Sequence, residues 1–469
     1  MVGLGFRDVV FLINRGIPTV ERPKQRPSLK ERMIWTGIVL FVYYLLSNIP
    51  LWGVPEARYD YLRELRLIFA GSFGSLIELG IGPIVTAGIV IELLVGSGII
   101  GLDLTDPEDR RYFQAIQRVL SIVLIVVYST FYVIGGRFDH MPLNKSIMVI
   151  AQLALGSLML MMLDDLVSKW GIGSGISLFI LAGVTTGVFW NIFAPVKAPG
   201  TERIVGVLPA LIVEKAGAIY RSGLPDLVGL ASTIIVILVV IITYGIRVNV
   251  PISHTLMRGQ RTRYPIRLLY VSNVPIIFAL ALIGDIDLIA KILWSRFSES
   301  ATGWQQILMN ILGTFELGPQ GQPIAVGGLA YYIATPRGPT DIIQDPLRSL
   351  IYLAIMVGSS VIFAKIWVIT AGMDPESVSR QLVDQGLVLP GRRASSRIIA
   401  KVIEDYIDSV TILGGALVGF LAAAANFAGA IGTGSGLLLG VTITISFYEV
   451  IARERMLELY PRLKAFLGV

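Results

Sequence analysis

The sequence predicts an all-α membrane protein of about ten transmembrane helices, arranged as two inverted five-helix halves. Of its residues, 54% are hydrophobic and only 15% are charged. The mean hydropathy of +0.72 is that of a chain solvated by a bilayer rather than by water. An apolar stretch of about 20 residues crosses the hydrocarbon core, and stretches of this kind cover residues 34–49, 76–95, 116–135, 147–163, 176–193, 227–246, 271–293, 350–370, 410–430 and 437–451.

The first element precedes these spans. Residues 6–17 have the pattern of an amphipathic helix on the membrane surface, and their apolar stretch is too short for a cleavable signal. Lys and Arg concentrate in alternate loops, which places both termini in the cytoplasm by the positive-inside rule. The expected organisation is a cytoplasmic segment 1–33, an N-terminal half 34–200, a C-terminal half 201–452 and a cytoplasmic tail 453–469.

The apolar stretch 71–98, which includes span two, contains helix breakers at Gly71 to Gly74 and again at Gly80 to Gly88 around Pro83. Irregular backbone at bilayer depth is tolerated only where it is buried in protein or lines a water-filled cavity. We therefore expect this span to line a pathway. Span seven repeats the pattern weakly at Pro275, as an inverted repeat would, although two unrelated proline kinks would read the same way.

The segment between spans one and two is too polar and too short to cross. Leu62, Leu65, Ile68 and Phe69 have helical spacing among charged residues. They predict a short half-helix between Pro55 and Gly71, either a movable element or a fixed interfacial helix.

Two loops, 247–267 and 372–406, carry more arginine than topology requires. Guanidinium groups on turn-rich loops suit phosphate, so nucleic acid and anionic lipid are candidate partners. A solvated loop that only fixes orientation explains the same residues. The arginines in question are Arg258, Arg261, Arg263, Arg267, Arg392 and Arg393.

Catalysis has little support. The chain lacks cysteine and has two histidines, which excludes thiolate and histidine metal cages. An intramembrane protease would need paired carboxylates within its apolar spans. The candidate pairs, Asp164 with Asp165 and Asp285 with Asp287, are expected near span ends, so an enzyme is not predicted. The main alternative is a secondary transporter, with Glu78, Glu92 and Lys365 as coupling charges.

Four strings then carry a specific resemblance, beginning at Leu79 (LGIGPIVTAG), Ser168 (SKWGIGSGI), Tyr264 (YPIRLLYVSN) and Ala424 (AANFAGAIG). In this order across ten spans, the chain resembles SecY, the channel subunit of the general protein translocase, and most closely its archaeal branch. The resemblance implies an hourglass pore that opens sideways to lipid and translocates polypeptides. The chain departs from the family in the charge of the loop before span three. This loop is usually basic, but here it is acidic because it contains Asp103, Asp106, Glu108 and Asp109.

The resemblance also implies residue roles. A plug covers about residues 62–73, and Thr86 and Asn273 lie at a lateral gate between spans two and three and spans seven and eight. The six arginines become a ribosome-docking surface. No cofactor is implied; the partners are SecE-type and small single-span subunits, ribosomes, signal sequences, nascent polypeptides and lipid. The constriction ring falls on Ile81, Val85, Ile172, Ile176, Ile277 and Leu439.

Overall fold

The fold was analysed in a computed structural model. It describes residues 6–54, 69–104, 106–134, 138, 141–198, 202–221, 223–254, 261–269, 271, 273–297, 303–317, 323–336, 338–384, 387–388 and 396–459.

The N-terminal half is helical, as predicted. The surface helix α1 packs Val10 and Phe11 against Tyr112 of α4, and Arg7 pairs with Asp109 at 3.1 Å. A capping box at Ser28 and Glu31 starts α2. The helices of this half are α1 Phe6–Gly16, α2 Leu29–Asn48, α3 Gly82–Gly96, α4 Pro107–Ile134, α5 Leu143–Trp170 and α6 Gly175–Phe193.

A connecting segment between the halves contains α7 Val207–Glu214 and a 3₁₀ turn, Lys215–Ala218. The main helices of the C-terminal half are α8 Leu227–Gly245, α9 Val274–Phe297, α13 Pro346–Thr370, α15 Ser396–Phe427 and α16 Gly434–Leu459. Shorter helices are α10 Trp304–Leu312, α11 Gly328–Ile333, α12 Pro339–Gln344 and α14 Pro375–Asp384. Asp226 caps α8 by accepting a hydrogen bond from the Gly229 amide at 2.6 Å.

Each predicted span overlaps one helix. By length and composition alone, seven helices of the described residues could span a membrane. The other three are α2, α9 and the shorter α3; charged side chains lie within α2 and α9.

The prediction of broken helices is corrected in one respect. Residues 76–81 form turns, and α3 begins only at Gly82 with Pro83 in its first turn. Pro275 is likewise in the first turn of α9. Proline is tolerated there because the first amides of a helix have no intrahelical acceptor, so neither proline kinks a helix.

The described residues also form five short strands. β1 Arg247–His254 and β2 Arg261–Arg267 pair antiparallel, and β5 Leu387–Val388 adds to the other edge of β1. In the segment between α9 and α13, β3 Thr314–Leu317 pairs antiparallel with β4 Pro323–Gly327.

The helices of the two halves meet along two lines. On one side α3 contacts both α9 and α13, and on the other α6 contacts α16. The largest hydrophobic core lies between these lines and takes side chains from both halves.

Candidate functional site

Five of the six predicted ring residues meet in the largest hydrophobic core. Ile81, Val85, Ile277 and Leu439 are buried members of one packed cluster, and Ile176 packs against that cluster. Ile172, in the turn between α5 and α6, is also buried. Branched apolar side chains that meet in this way exclude water from a constriction without offering a hydrogen bond to anything that passes.

The described end of the predicted plug is held against the start of α3. The Ile81 amide donates to the Phe69 carbonyl at 2.8 Å, and the Phe69 ring lies 3.4 Å from where a Cβ on Gly82 would be. Gly80 has a φ of +57°, and a Cβ there would be 2.0 Å from the Phe69 oxygen. Glycine is therefore required at this approach. The other plug residues, Leu62, Leu65 and Ile68, lie outside the described residues.

Backbone pairing fixes the segment that follows the plug. Leu51 donates to the Gly74 carbonyl and Leu76 to the Ile49 carbonyl, both at 2.9 Å. Glu78, a coupling charge in the transporter hypothesis, is buried and accepts from the Gly74 amide at 3.1 Å. Its carboxylate thus supports this turn.

A polar network crosses the line between the halves. Thr86 of α3 donates to one oxygen of Asp285 on α9 at 2.8 Å, and Tyr128 of α4 donates to the other at 2.6 Å. The two hydroxyls are also 3.3 Å apart. Because both donors come from one half and the acceptor from the other, this network ties the seam between α3–α4 and α9.

Asn273 lies at the start of α9, apart from this network. It is buried, its backbone carbonyl accepts from the Ile277 amide at 3.1 Å, and its side-chain oxygen has no hydrogen-bond partner among the described residues.

Sequence reasoning missed Asp285 and Tyr128. Asp285 was expected near a span end, and that placement was wrong: it lies midway along α9. A carboxylate in the middle of an apolar span was the signal that would have found it, since such groups need a partner.

The two arginine-rich loops, predicted to be turn-rich, meet in one sheet. β1 and β2 form a hairpin in which Val250 opposes Tyr264, and His254 of β1 opposes Leu387 of β5 in the second loop. The loops therefore present a joint surface.

The arginines of this surface differ in their engagement. Arg267 pairs with Glu449 at 2.8 Å and donates to the Tyr244 hydroxyl at 2.9 Å. The hydrogen bond to Glu449 raises the pKa of Arg267 above its usual range. Arg263 is exposed. Arg261 lies on β2, and Arg258, Arg392 and Arg393 lie outside the described residues.

A cavity of about 710 Å³ opens next to the ring. Its lining includes Ile84 and Ile176 together with many charged side chains. Among these charged side chains, Asp165 pairs with two basic residues, Lys169 at 2.7 Å and Arg118 at 3.4 Å. The charged lining is suited to a water-filled vestibule in front of the apolar constriction.

Comparison with known proteins agrees with this geometry. The SecY family model matches residues 75–448, and a model of the plug domain of Sec61p matches residues 41–74. Protein translocase subunit SecY of Pyrococcus furiosus is 42% identical over 484 residues, covering 99% of this chain and 100% of the relative. The subunit from Aeropyrum pernix is 37% identical over 475 residues and covers 99% of both chains.

Solved structures give the same result. A protein-conducting channel matches with a TM-score of 0.80 and 37% identity over 96% of this chain and 98% of the other. Sec61 in a canine ribosome–channel complex from the endoplasmic reticulum matches with a TM-score of 0.76 and 36% identity over the same shares. Because the family model covers most of the chain and a relative is 42% identical along its whole length, the chain belongs to the SecY family of protein translocase subunits.

Proposed function

We propose that this chain is a protein-conducting channel that translocates polypeptides across a membrane and releases hydrophobic segments sideways into lipid. The observation that carries the proposal is the cluster of buried apolar side chains to which both helical halves contribute, with Phe69 bonded to Ile81 at its edge. The similar proteins are named translocase subunits and protein-conducting channels.

In this proposal the ring is a gasket. Ile81, Val85, Ile172, Ile176, Ile277 and Leu439 close the empty pore and yield to an extended peptide, because apolar branched groups do not bind its backbone. The plug, about residues 62–73, blocks the outer side. No catalytic step or cofactor is required, and the energy comes from the partner that pushes the substrate.

The seam between α3–α4 and α9–α13 is the lateral gate. Residues 34–200 and 201–452 act as two halves that part there, while the α6–α16 line stays closed. A hydrophobic signal sequence entering the seam buries its apolar face in lipid, and the polar chain that follows stays in the pore. Thr86, Asp285 and Tyr128 hold the seam shut, and Asn273 lies beside the ring.

The protein is proposed to reside in the cell membrane with both termini in the cytoplasm. The chain has no cysteine, so single introduced thiols report orientation without background. We expect a thiol at the exposed Ser396 to react with an impermeant maleimide only from the cytoplasmic side, and one at the exposed Glu202 only from outside. The reverse pattern would contradict the assigned topology.

The joined arginine loops are proposed to dock the ribosome, and small SecE-type subunits are proposed to complete the complex. Reversing the charge of Arg392 and Arg393 should weaken ribosome binding and leave assembly intact. Each lost phosphate contact should flatten the slope of log affinity against log salt by roughly 0.7–0.9. Charge reversal of Arg267 is a less direct test, because this residue also pairs with Glu449. An unchanged salt slope of ribosome affinity in the Arg392 and Arg393 variants would remove these two arginines from the docking surface.

The function is tested by reconstitution. The chain with its copurifying subunits should protect a stalled nascent polypeptide inside vesicles and should fail to concentrate labelled solutes. Solute uptake by the chain alone, without polypeptide transport, would contradict the proposal and favour the transporter alternative. The transporter alternative uses Lys365 as a coupling charge. Such a charge is expected to face the interior of the helix bundle, whereas the Lys365 side chain is exposed.

A further inference from the structure

A second cavity lies at the far end of the seam from the plug. Its volume is about 720 Å³, and it is formed between α3–α4 on one side and α13–α14 on the other. On the topology proposed above it faces the cytoplasm. Because its walls belong to both halves, anything bound there contacts both sides of the lateral gate.

Glu92 of α3 forms the deep end of this cavity. Its side chain is only 7% exposed, and its Oε2 atom has no hydrogen-bond partner among the described residues. Thr370 of α13 lies beside the carboxyl across the seam. In its ionised form, a buried carboxylate with an unsatisfied oxygen is costly unless a cation or a hydrogen-bond donor pairs with it.

The positive groups of the cavity do not satisfy Glu92. Arg110 donates to the Leu104 carbonyl at 3.2 and 3.0 Å, and Arg380 points its Nε to the Glu376 carbonyl at 3.4 Å. Both arginines are exposed, so water screens their charge at the mouth. An exposed carboxylate, Asp384, lies at the mouth with them. The deep end thus offers an acceptor, whereas the two arginines and the one carboxylate give the mouth a small net positive charge that water screens.

We propose that this cavity binds the cationic end of a hydrophobic segment seated in the lateral gate, with Glu92 accepting its Lys or Arg group. The inference rests on the proposed channel function and names a recognition site within it. Glu92 is seven residues beyond Val85 on the same helix, which is about 10 Å along its axis.

The spacing fits the chemistry of signal sequences. A secretory signal has a positively charged end followed by an apolar region of about 7–15 residues, which spans roughly 10–22 Å as a helix. A segment whose apolar region lies beside Val85 and Ile277 therefore brings its charged end to the level of Glu92. A cation there gains a charge-assisted hydrogen bond in a site shielded from water.

The test uses two synthetic peptides, each an apolar helix of about ten residues, one preceded by two lysines and its twin by two glutamines. Binding is measured to the purified complex in nanodiscs of zwitterionic lipid, so that anionic lipid does not attract the lysines. We expect the lysine peptide to bind about tenfold more tightly than its twin. In Glu92→Gln this preference should disappear, and the glutamine peptide should bind as before, which also shows that the variant is folded.

Asp384→Asn is the matched control, because it removes an exposed carboxylate from the same cavity, and it should keep the preference. A thiol at the exposed Gln381, on the cavity wall, should form a disulfide with a cysteine at the charged end of the lysine peptide, and Glu92→Gln should reduce its yield. Equal preference in wild type and Glu92→Gln would overturn the assignment of Glu92. If neither peptide binds the wild-type complex, the proposed channel function itself fails.

Discussion

Replacing Thr86 with valine should favour the open state of the seam. Valine has nearly the shape of threonine, so the substitution removes the hydrogen bond to Asp285, 2.8 Å long, with little change in packing. Hydrogen bonds between membrane helices contribute about 0.6 kcal/mol on average and about 1.7 at most. If this bond exists only when the seam is closed, its loss multiplies the ratio of open to closed channels roughly three- to seventeenfold.

The assay is the open probability of the empty channel in planar bilayers. Tyr128→Phe should act in the same direction, because it also leaves an oxygen of Asp285 without its donor at 2.6 Å. The matched control is Thr130→Val on α4, since the half-buried Thr130 donates to the Val126 carbonyl of its own helix, at 2.7 Å. If Thr86→Val and Thr130→Val have the same open probability, the network does not hold the seam.

Three further predictions concern the ring, the plug anchor and the segment between α9 and α13. Ile81→Asn should raise ion conductance through the empty channel and let weak signal sequences through, because a polar side chain makes the fully buried constriction easier to hydrate; unchanged conductance would make Ile81 an ordinary core residue. Gly80→Ala should displace the Phe69 carbonyl and increase leak, and protease accessibility of the plug should rise with it; a sealed channel with a protected plug would refute the anchor. Between α9 and α13, the Tyr331 hydroxyl holds the pKa of Asp345 below its usual value, so this carboxylate stabilises the fold above the unfolded pKa and ceases to as pH falls through the folded pKa. Tyr331→Phe should therefore reduce the loss of melting temperature on acidification, and an unchanged pH profile would contradict the pairing.

The fold was accessible from the sequence because the bilayer imposes a simple pattern. Each predicted span required only a long apolar run, and each corresponds to a helix. Helix ends were harder: the run at 76–95 is continuous in hydropathy, yet α3 starts only at Gly82. The preceding turns exist because the chain bends around the plug end at Phe69, a tertiary contact that hydropathy does not encode.

The candidate site was also only partly predictable from the sequence. The ring positions came from family resemblance, since nothing local distinguishes Ile277 from other buried isoleucines. The network at Asp285 depends on donors from α3 and α4, far away in sequence, so the residue was visible but its partners were not. The β1–β2 hairpin was missed because its strands contain Pro251 and Pro265 among arginines, a composition that favours loops.

The central claim, that the halves part between α3 and α13, is tested most directly by a disulfide across that seam. A Cβ on Gly96 would lie 3.6 Å from the Cβ of Ile366, which is within the range of about 3.5–4.5 Å that disulfides adopt. Cysteines at these two positions should crosslink in the closed channel and abolish both secretion and membrane insertion until a reductant is added. The control pair, Glu214 and Gly217, lies within one half at 3.7 Å and should crosslink without effect. Full transport by the crosslinked Gly96–Ile366 channel would contradict lateral opening.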